Sequence, residues 1–461
     1  MSAVVVPGRV ADPAGELLLL GHADSERVFA WRDGRPVCVR EFLADVADAA
    51  ALLPETGSAI NLCDDRYLFL VGFCAAASRG HISLLPSSRA LQVIADVRAN
   101  YAGTYLLGES HGGDAHGEMF CLPRFDSATG LSRCPNPHPS VIETTAAAIG
   151  FTSGSTGQPK ANIKTWQNFR LGSALNIDAL CSVLTLQAGE TAQVLATVPP
   201  QHMYGMELSV LLPLFGPFSV HSGRPLFPAD IAAELETLPM PRVLVTTPVH
   251  LQALLRAPLN LPSIAAIVSA TAPLTSELAK AAEARFATKV IELFGSTETC
   301  VIAHRRTAAE AKWHLYPDVN LSPLPDGTVV NAGHLSDPVG LQDIVELHAD
   351  RQFTLSGRNA DLLEIAGKRA SLADLTRRLN ALEGVHDGVV FQLDASETSN
   401  VRRIAALVVA PGRSDKELRA MLRKEIDPVF LPRPLRIVDR LPRNETGKLP
   451  RQALISALQQ D

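Results

Sequence analysis

Residues 265–294 read AAIVSATAPLTSELAKAAEARFATKVIELF. Ala265–Ser269 is short, apolar and closed by a serine, which predicts a buried strand. Thr275-Ser276-Glu277-Leu278 follows Pro273 as a helix entry, and the apolar spacing after it predicts a helix over Thr275–Phe286. Val290–Phe294 is a second apolar run, ended by Gly295. Strand, helix and strand in succession is the unit of an α/β fold with mainly parallel sheets. Upstream, Val194–Val198 and Val243–Thr247 read as strands of the same kind, and Pro228–Leu238 reads as a helix between them. In such sheets chemistry gathers in loops at the strand C-terminal ends.

Downstream the texture changes near Gly357. Asp343–Leu347 and Gln352–Leu355 predict a hairpin before it. After it come a helix over Ser371–Leu382, strands over Asp387–Leu393 and Ile404–Val409, a helix over Ser414–Lys424 and a short strand over Leu435–Val438. The fold expected is therefore α/β: a large N-terminal domain of parallel-rich sheets flanked by helices over 1–356, a linker at 357–361, and a small α+β C-terminal domain over 362–461.

The chain has 461 residues, enough for two to four domains at roughly 100–200 residues each. With 46% apolar and 20% charged residues it can bury large cores. A net charge of −6 argues against nucleic acid as the main partner. That charge is uneven, since residues 359–461 carry +3 and the remainder is acidic. The seven cysteines form no CxxC pair and are odd in number, so neither a disulfide framework nor a zinc ribbon is expected, and a reducing cytoplasm fits. The first residues lack a basic segment followed by a long apolar core, so no secretory leader is expected. Tyr67–Ala77, the most apolar stretch, is too short for the ~20 residues that span a bilayer. No membrane insertion is expected.

Four segments carry chemistry. In Phe151-Thr152-Ser153-Gly154-Ser155-Thr156-Gly157-Gln158-Pro159-Lys160, glycines let backbone N–H groups turn toward an anion, hydroxyls add donors and a lysine adds charge, which suits a nucleoside polyphosphate. It is not a Walker A loop, because Gln158-Pro159 separates glycine from lysine. The same composition also serves as a flexible linker. The second segment is Phe294-Gly295-Ser296-Thr297-Glu298-Thr299 at the end of a predicted strand. Its aromatic can stack a purine and its carboxylate can hold Mg²⁺, though a capped turn would look alike. The third, Gly357-Arg358-Asn359-Ala360-Asp361, falls where the texture changes and reads as a linker or an ordinary basic loop. The fourth, Arg443-Asn444-Glu445-Thr446-Gly447-Lys448, puts a lysine on a glycine-containing loop, and a solvated charged tail reads the same way.

In order and spacing the four resemble the core motifs of the acyl-adenylate-forming (ANL, AMP-binding) superfamily, which includes acyl-CoA synthetases, nonribosomal peptide synthetase adenylation domains and firefly luciferase. The resemblance runs from about residue 149 onward. It implies ATP and Mg²⁺ as cofactors, and a reaction in which a carboxylate attacks the α-phosphate, pyrophosphate leaves, and a thiol then displaces AMP. It implies that Thr152, Ser153, Gly154, Ser155, Thr156, Gly157 and Lys160 bind the β- and γ-phosphates. Phe294 would stack on adenine, with Gly295 and Ser296 in the same turn and Ser269, Ala270 and Thr271 beside the base. Thr297 would touch the α-phosphate, Glu298 hold Mg²⁺, and Asp343 and Arg358 contact the ribose. Lys448 would bridge substrate carboxylate and α-phosphate, and His202 would stand near the acid and the thiol tunnel. A lone histidine is as readily structural. The small domain would rotate between the two steps. Ala360 stands where the hinge of that family is often Asp or Lys, and Glu364 where a lysine is often seen.

The stretch after Glu298, with His304, Arg305, Arg306 and Trp313, is similar to the stand-alone aryl acid:acyl-carrier-protein ligases of xanthomonadin and aryl-polyene pigment biosynthesis, which act on 3-hydroxybenzoate. This implies a hydroxybenzoate substrate and an acyl carrier protein as acceptor. Coenzyme A is the alternative acceptor, and a non-catalytic nucleotide-binding descendant the alternative of another class. Tyr204, Thr247–His250, Ser269–Thr271 and Phe294–Thr299 are the expected walls of an aromatic slot.

Overall fold

The computed structural model describes residues 15–20, 24–109, 119–123, 125, 139–153, 159–187, 189–324, 327–358, 362–365, 368–393, 404–444 and 447–459. The chain divides into two compact units, 1–319 with 331–337, and 320–330 with 338–461.

Among the described residues, the first unit holds two large sheets and a two-stranded ribbon of Glu16–Leu18 with Ser140–Ile142. In the larger, Val28–Arg32, Phe218–His221, Ala192–Ala196, Arg242–Thr246, Ala266–Ser269 and Lys289–Ser296 lie side by side, all parallel. Antiparallel strands flank them, Arg35–Cys38 at one side and Cys300–Arg305 followed by Trp313–Leu315 at the other. The strand cores are continuous apolar runs because they are covered on both faces. Leu195, Leu244, Ile267 and Val290 are buried against Ile231 and Leu235 of the helix Pro228–Thr237, Leu251 and Leu254 of Pro248–Arg256, and Ala279 and Ala282 of Ser276–Phe286. Two of those helices start on threonine caps, Thr247 accepting from the His250 N–H and Thr275 from the Leu278 N–H. The strands and helices expected over 194–294 are all present, with ends shifted by two residues at most.

The second sheet runs Pro159–Thr165, Ala146–Ser153, Ile82–Leu85, Ser58–Asn61, Thr104–Glu109, Met119–Leu122, parallel except for the first pair. The helix Arg66–Ser78 contains the most apolar stretch of the sequence and is buried from Arg66 through Ala77. It is greasy on every face because it is an interior helix. Among the described residues, no helix is long and apolar enough to cross a membrane.

The second unit contains the antiparallel hairpin Asp343–His348/Gln352–Arg358 and a three-stranded sheet of Asp387–Gln392, Ile404–Val409 and Leu435–Ile437. Alternation along Ile404–Val409 builds two cores. Ile404, Ala406 and Val408 pack with Leu375 and Leu379 of Leu372–Asn380 and Leu418 and Leu422 of Asp415–Glu425, whereas Ala405 and Leu407 pack with Leu441 and with Leu454 of Arg451–Gln459. Ser414 caps the second of these helices in a reciprocal box with Glu417. The expected helix over Ser371–Leu382 is shorter, ending at Asn380. Of the linker expected at 357–361, residues 357 and 358 are described and end the hairpin strand.

Candidate active site

Several of the expected site residues leave the C-terminal ends of the parallel strands: His202 after Ala192–Ala196, Thr247 after Arg242–Thr246, Ser269–Thr271 at the end of Ala266–Ser269, and Phe294–Glu298 at the end of Lys289–Ser296.

The segment expected to bind phosphate falls between the two strands of an antiparallel ribbon. Ala146–Ser153 and Pro159–Thr165 pair so that Thr152 faces Lys160 across the ladder. Gly154, Ser155, Thr156 and Gly157 lie outside the described residues, as does the side chain of Ser153. Lys160 is exposed. The Thr152 hydroxyl donates to Glu298 Oε1 at 3.2 Å and accepts from Asn162 Nδ2, on the partner strand of the ribbon, at 3.4 Å. Two segments almost 150 residues apart in sequence thus meet through a hydroxyl and a carboxylate. Thr297 lies against the same ribbon, and a β-carbon on Gly150 would come within 2.8 Å of its methyl group.

Turn geometry around Phe294 to Cys300 is tightly specified. A β-carbon at Gly295 would approach the Cys300 carbonyl oxygen to 2.1 Å, so only glycine fits. Ser296 and Thr299 bond each other reciprocally, the Ser296 N–H to Thr299 Oγ1 and the Thr299 N–H to Ser296 Oγ, both at 3.1 Å. Cys300 takes φ +57°, a left-handed backbone uncommon outside glycine. Phe294 is half-buried, its ring 5.3 Å from that of Trp313, and the Arg305 guanidinium lies over the Trp313 ring at 4.2 Å. Thr271 has φ +78°, again unusual for a β-branched residue. Ser269 Oγ is buried and has no hydrogen-bond partner among the described residues, and Ala270 is buried beside it.

His202 precedes the short helix Met203–Met206, its carbonyl accepting from the Met206 N–H at 2.7 Å. Gly205 lets this helix press on the preceding loop, since a β-carbon there would lie 1.9 Å from the Pro199 carbonyl oxygen. Tyr204, an expected slot wall, spends its hydroxyl on the framework: it donates to the carbonyls of Thr246 at 3.1 Å and Val268 at 3.0 Å, tying two strand ends together. Thr197 Oγ1 bonds Thr246 Oγ1 at 3.0 Å and His250 Nδ1 at 2.8 Å. Burial, with the Arg224 charge nearby, holds His250 below its ordinary pKa and so neutral.

In the second unit, Asp343 and Arg358 occupy opposed positions of one antiparallel ladder, which brings together two residues singled out from separate motifs. The Asp343 carbonyl accepts from Thr328 Oγ1 at 2.6 Å. Lys448 is exposed, on a loop folded around Asn444: the Lys448 N–H donates to Asn444 Oδ1 at 2.9 Å and the Asn444 N–H to the Lys448 carbonyl at 2.8 Å. Arg443 anchors this loop, bonding both Asp387 oxygens through Nη2 at 2.9 and 3.0 Å and the Gly447 carbonyl at 2.9 Å. Gly447 has φ +77°, which glycine adopts freely.

Sequence reading passed over a set of buried polar residues behind this site. Arg66 is wholly buried and donates to Ala196 O at 3.0 Å, Val198 O at 2.7 Å and Ser209 Oγ, fixing the chain between the strand and His202. Glu207 opens a π-helical turn, Glu207–Leu211, a geometry frequent at functional sites. Lys164, Asn176, Tyr316 and His334 surround it or its neighbours and are all buried. The legible signal was a single charge inside an apolar run, as in Met203-Tyr204-Gly205-Met206-Glu207-Leu208.

The donor set at Thr152 and Glu298 is oxygen only, the chemistry that suits Mg²⁺. The sequence profile described as AMP-binding enzyme matches residues 58–331, and that described as AMP-binding enzyme C-terminal domain matches 379–448. A 4-coumarate–CoA ligase of Halorhodospira halophila is 28% identical over 312 residues, which is 65% of this chain and 73% of that protein. Among solved structures, ATP-bound MatB from Rhodopseudomonas palustris has a TM-score of 0.78 at 17% identity, covering 94% of this chain and 96% of that one. The o-succinylbenzoate CoA synthetase from Bacillus subtilis, in complex with its acyl-adenylate intermediate, has a TM-score of 0.78 at 16% identity, covering 95% and 98%. At these identities the structural likeness is one of fold.

Proposed function

The chain belongs to the AMP-binding enzyme family and is an AMP-forming acid–thiol ligase that uses ATP with Mg²⁺, and on that premise we propose that it activates an aromatic carboxylic acid, a hydroxybenzoate, to the acyl-adenylate in the cytoplasm and passes the acyl group to coenzyme A. The observation that carries the adenylation half is the meeting of Thr152 with Glu298. The aromatic acid is supported by the 4-coumarate and o-succinylbenzoate ligases among its relatives and structural neighbours.

In this reading Glu298 holds Mg²⁺, whose charge when bound offsets the repulsion between an incoming carboxylate and the triphosphate. The 152–160 loop grips the β- and γ-phosphates with backbone N–H groups, hydroxyls and Lys160. Thr297 donates to the α-phosphate, and Phe294 and the Ser269–Thr271 turn flank the adenine. Asp343 accepts from the ribose hydroxyls while Arg358 donates to them. Lys448 supplies the fixed cation that stabilises the charge developing as pyrophosphate leaves. His202 orients the acid carboxylate. Residues 357–361 act as the hinge on which the 362–461 domain turns between adenylation and thiol transfer.

Coenzyme A is preferred as acceptor because the relatives named above for their substrates are CoA ligases. One observation favours a carrier protein as a second reading: residues 359–461 carry a net +3, and carrier proteins are acidic. Pyrophosphate release across hydroxybenzoates, cinnamates and fatty acids, followed by thioester formation on coenzyme A or on a holo-acyl carrier protein, tests both halves. Release with hydroxybenzoates and thioester on coenzyme A is expected. Release confined to fatty acids overturns the substrate, and thioester formed only on the carrier replaces the acceptor.

A further inference from the structure

The turn that carries Thr297 and Glu298 is gripped from behind by three buried side chains belonging to other segments. Lys164 Nζ donates to the Glu298 carbonyl. His334 Nε2 donates to the Thr299 carbonyl at 2.9 Å. Glu207 accepts the Val301 N–H on its two oxygens at 3.0 and 3.2 Å. Between these anchors stands Cys300 at φ +57°. A left-handed non-glycine residue costs on the order of 1–3 kcal/mol and persists only where its surroundings impose it. Here the surroundings are identifiable, because backbone groups of 298, 299 and 301 are each held by a separate buried side chain.

Two of the anchors have a particular provenance. Lys164 lies on Pro159–Thr165, the strand that leaves the phosphate loop, and Thr152 lies on its ladder partner. The one ribbon therefore holds Glu298 twice, at the carboxylate through Thr152 and at the carbonyl through Lys164. Glu207 lies five residues beyond His202, on the helical segment that follows it. It is steadied by Asn176 Nδ2 at 3.2 Å, and Asn176 Oδ1 accepts in turn from the Tyr316 hydroxyl at 2.9 Å. Lys164 acts electrostatically on Glu207, Cys300 and His334. Burying a charge costs several kcal/mol, so the buried Lys164 is a poor source of stability. What it supplies is geometry.

We propose that Lys164 and Glu207 are positioning residues for Glu298, a buried brace that fixes its carboxylate beside Thr152 and links the segment carrying His202 to the metal-holding turn. The inference rests on the reading of Glu298 as the Mg²⁺ carboxylate. Neither residue touches a reactant; both act through the backbone of the turn.

Lys164→Met keeps the length of the side chain and removes the donor. Removing a partner of a metal-holding group commonly costs 10–100-fold in metal affinity, so the Mg²⁺ concentration giving half-maximal ATP binding should rise ~10-fold or more. The readout is calorimetric ATP binding without acid across a Mg²⁺ titration, with pyrophosphate release measured in parallel and KM for the acid expected to hold within about twofold. Glu298→Gln should show the same Mg²⁺ shift, and adding Lys164→Met to it should cost little more, because Lys164 works through Glu298. A normal Mg²⁺ dependence in Lys164→Met beside a shifted Glu298→Gln overturns the brace and leaves the Glu298 reading standing. An unshifted Glu298→Gln overturns that reading itself. Should Lys164→Met fail to melt cooperatively, Glu207→Met, which takes the acceptor away from the Val301 N–H, carries the same test: a Mg²⁺ shift supports the brace and its absence removes it.

Discussion

Glu207 shows how one residue departs from its ordinary chemistry. Burial raises its pKa from 4.5 to about 7, against the lowering effects of the Val301 N–H, Asn176 and Lys164. The folded state therefore holds this proton more tightly than the unfolded chain. Its stabilising contribution is complete below about 4.5 and is lost as the pH rises through about 7. A shift of that size corresponds to roughly 3 kcal/mol. Denaturant unfolding of the protein and of Glu207→Gln at pH 5 and pH 8 should accordingly diverge, the parent losing on the order of 3 kcal/mol relative to the variant at the higher pH. Parallel pH responses would show that Glu207 ionises as an exposed glutamate does. Nothing in the local sequence announces this value, since it arises from burial by the tertiary fold, which Val301 and Asn176, arriving from other segments, only partly offset.

At the scale of elements, the loop carrying Lys448 is instructive. Its exposed lysine is aimed by what lies beneath it: Gly447 turns the chain, and Arg443 clamps the turn to Asp387 at the start of the strand Asp387–Gln392. Arg443→Ala should leave the sheet intact and release the loop. Misplacing a reacting group by about 1 Å can cost ~100-fold, so pyrophosphate release should fall by between ~10- and 100-fold while thiol transfer from a supplied acyl-adenylate changes little. Equal losses in the two half-reactions would detach Arg443 from the positioning of Lys448. The Gly295 turn obeys the same logic with less tolerance, because the obstructing atom is a backbone oxygen. The strands and helices of this region were legible from apolar run length and from hydroxyl caps at Thr275 and Ser414. The turn at Ser296–Cys300 was legible as a motif, whereas its left-handed Cys300 was not.

For the whole molecule, the two compact units carry different parts of the proposed chemistry. The phosphate ribbon, Glu298 and His202 fall in the first, and Asp343, Arg358 and Lys448 in the second. A reaction assembled from both should separate by half-reaction. Lys448→Ala is expected to lower adenylation by at least ~100-fold, the scale of one oriented charge at a developing anion, and to leave thiol transfer from a supplied acyl-adenylate near the parent rate. A matching loss in thiol transfer would falsify the role given to Lys448.

What the sequence determined by itself was the kind of fold and the family. Alternating buried strands and amphipathic helices, a Ser/Gly loop ending in Lys160, the Phe294–Glu298 turn and the Lys448 loop are local patterns, and local patterns record backbone preference and burial. The tertiary structure decided which of those residues meet. It paired Thr152 with Glu298, set Asp343 opposite Arg358, spent the Tyr204 hydroxyl on two strand ends, and placed Lys164, Glu207 and His334 behind the turn that carries Glu298. Such contacts depend on sheet order and register: the hairpin register sets Asp343 against Arg358, and the order of strands brings Thr152 and Lys164 to Glu298 across 146 and 134 residues of sequence, farther than any local pattern reaches.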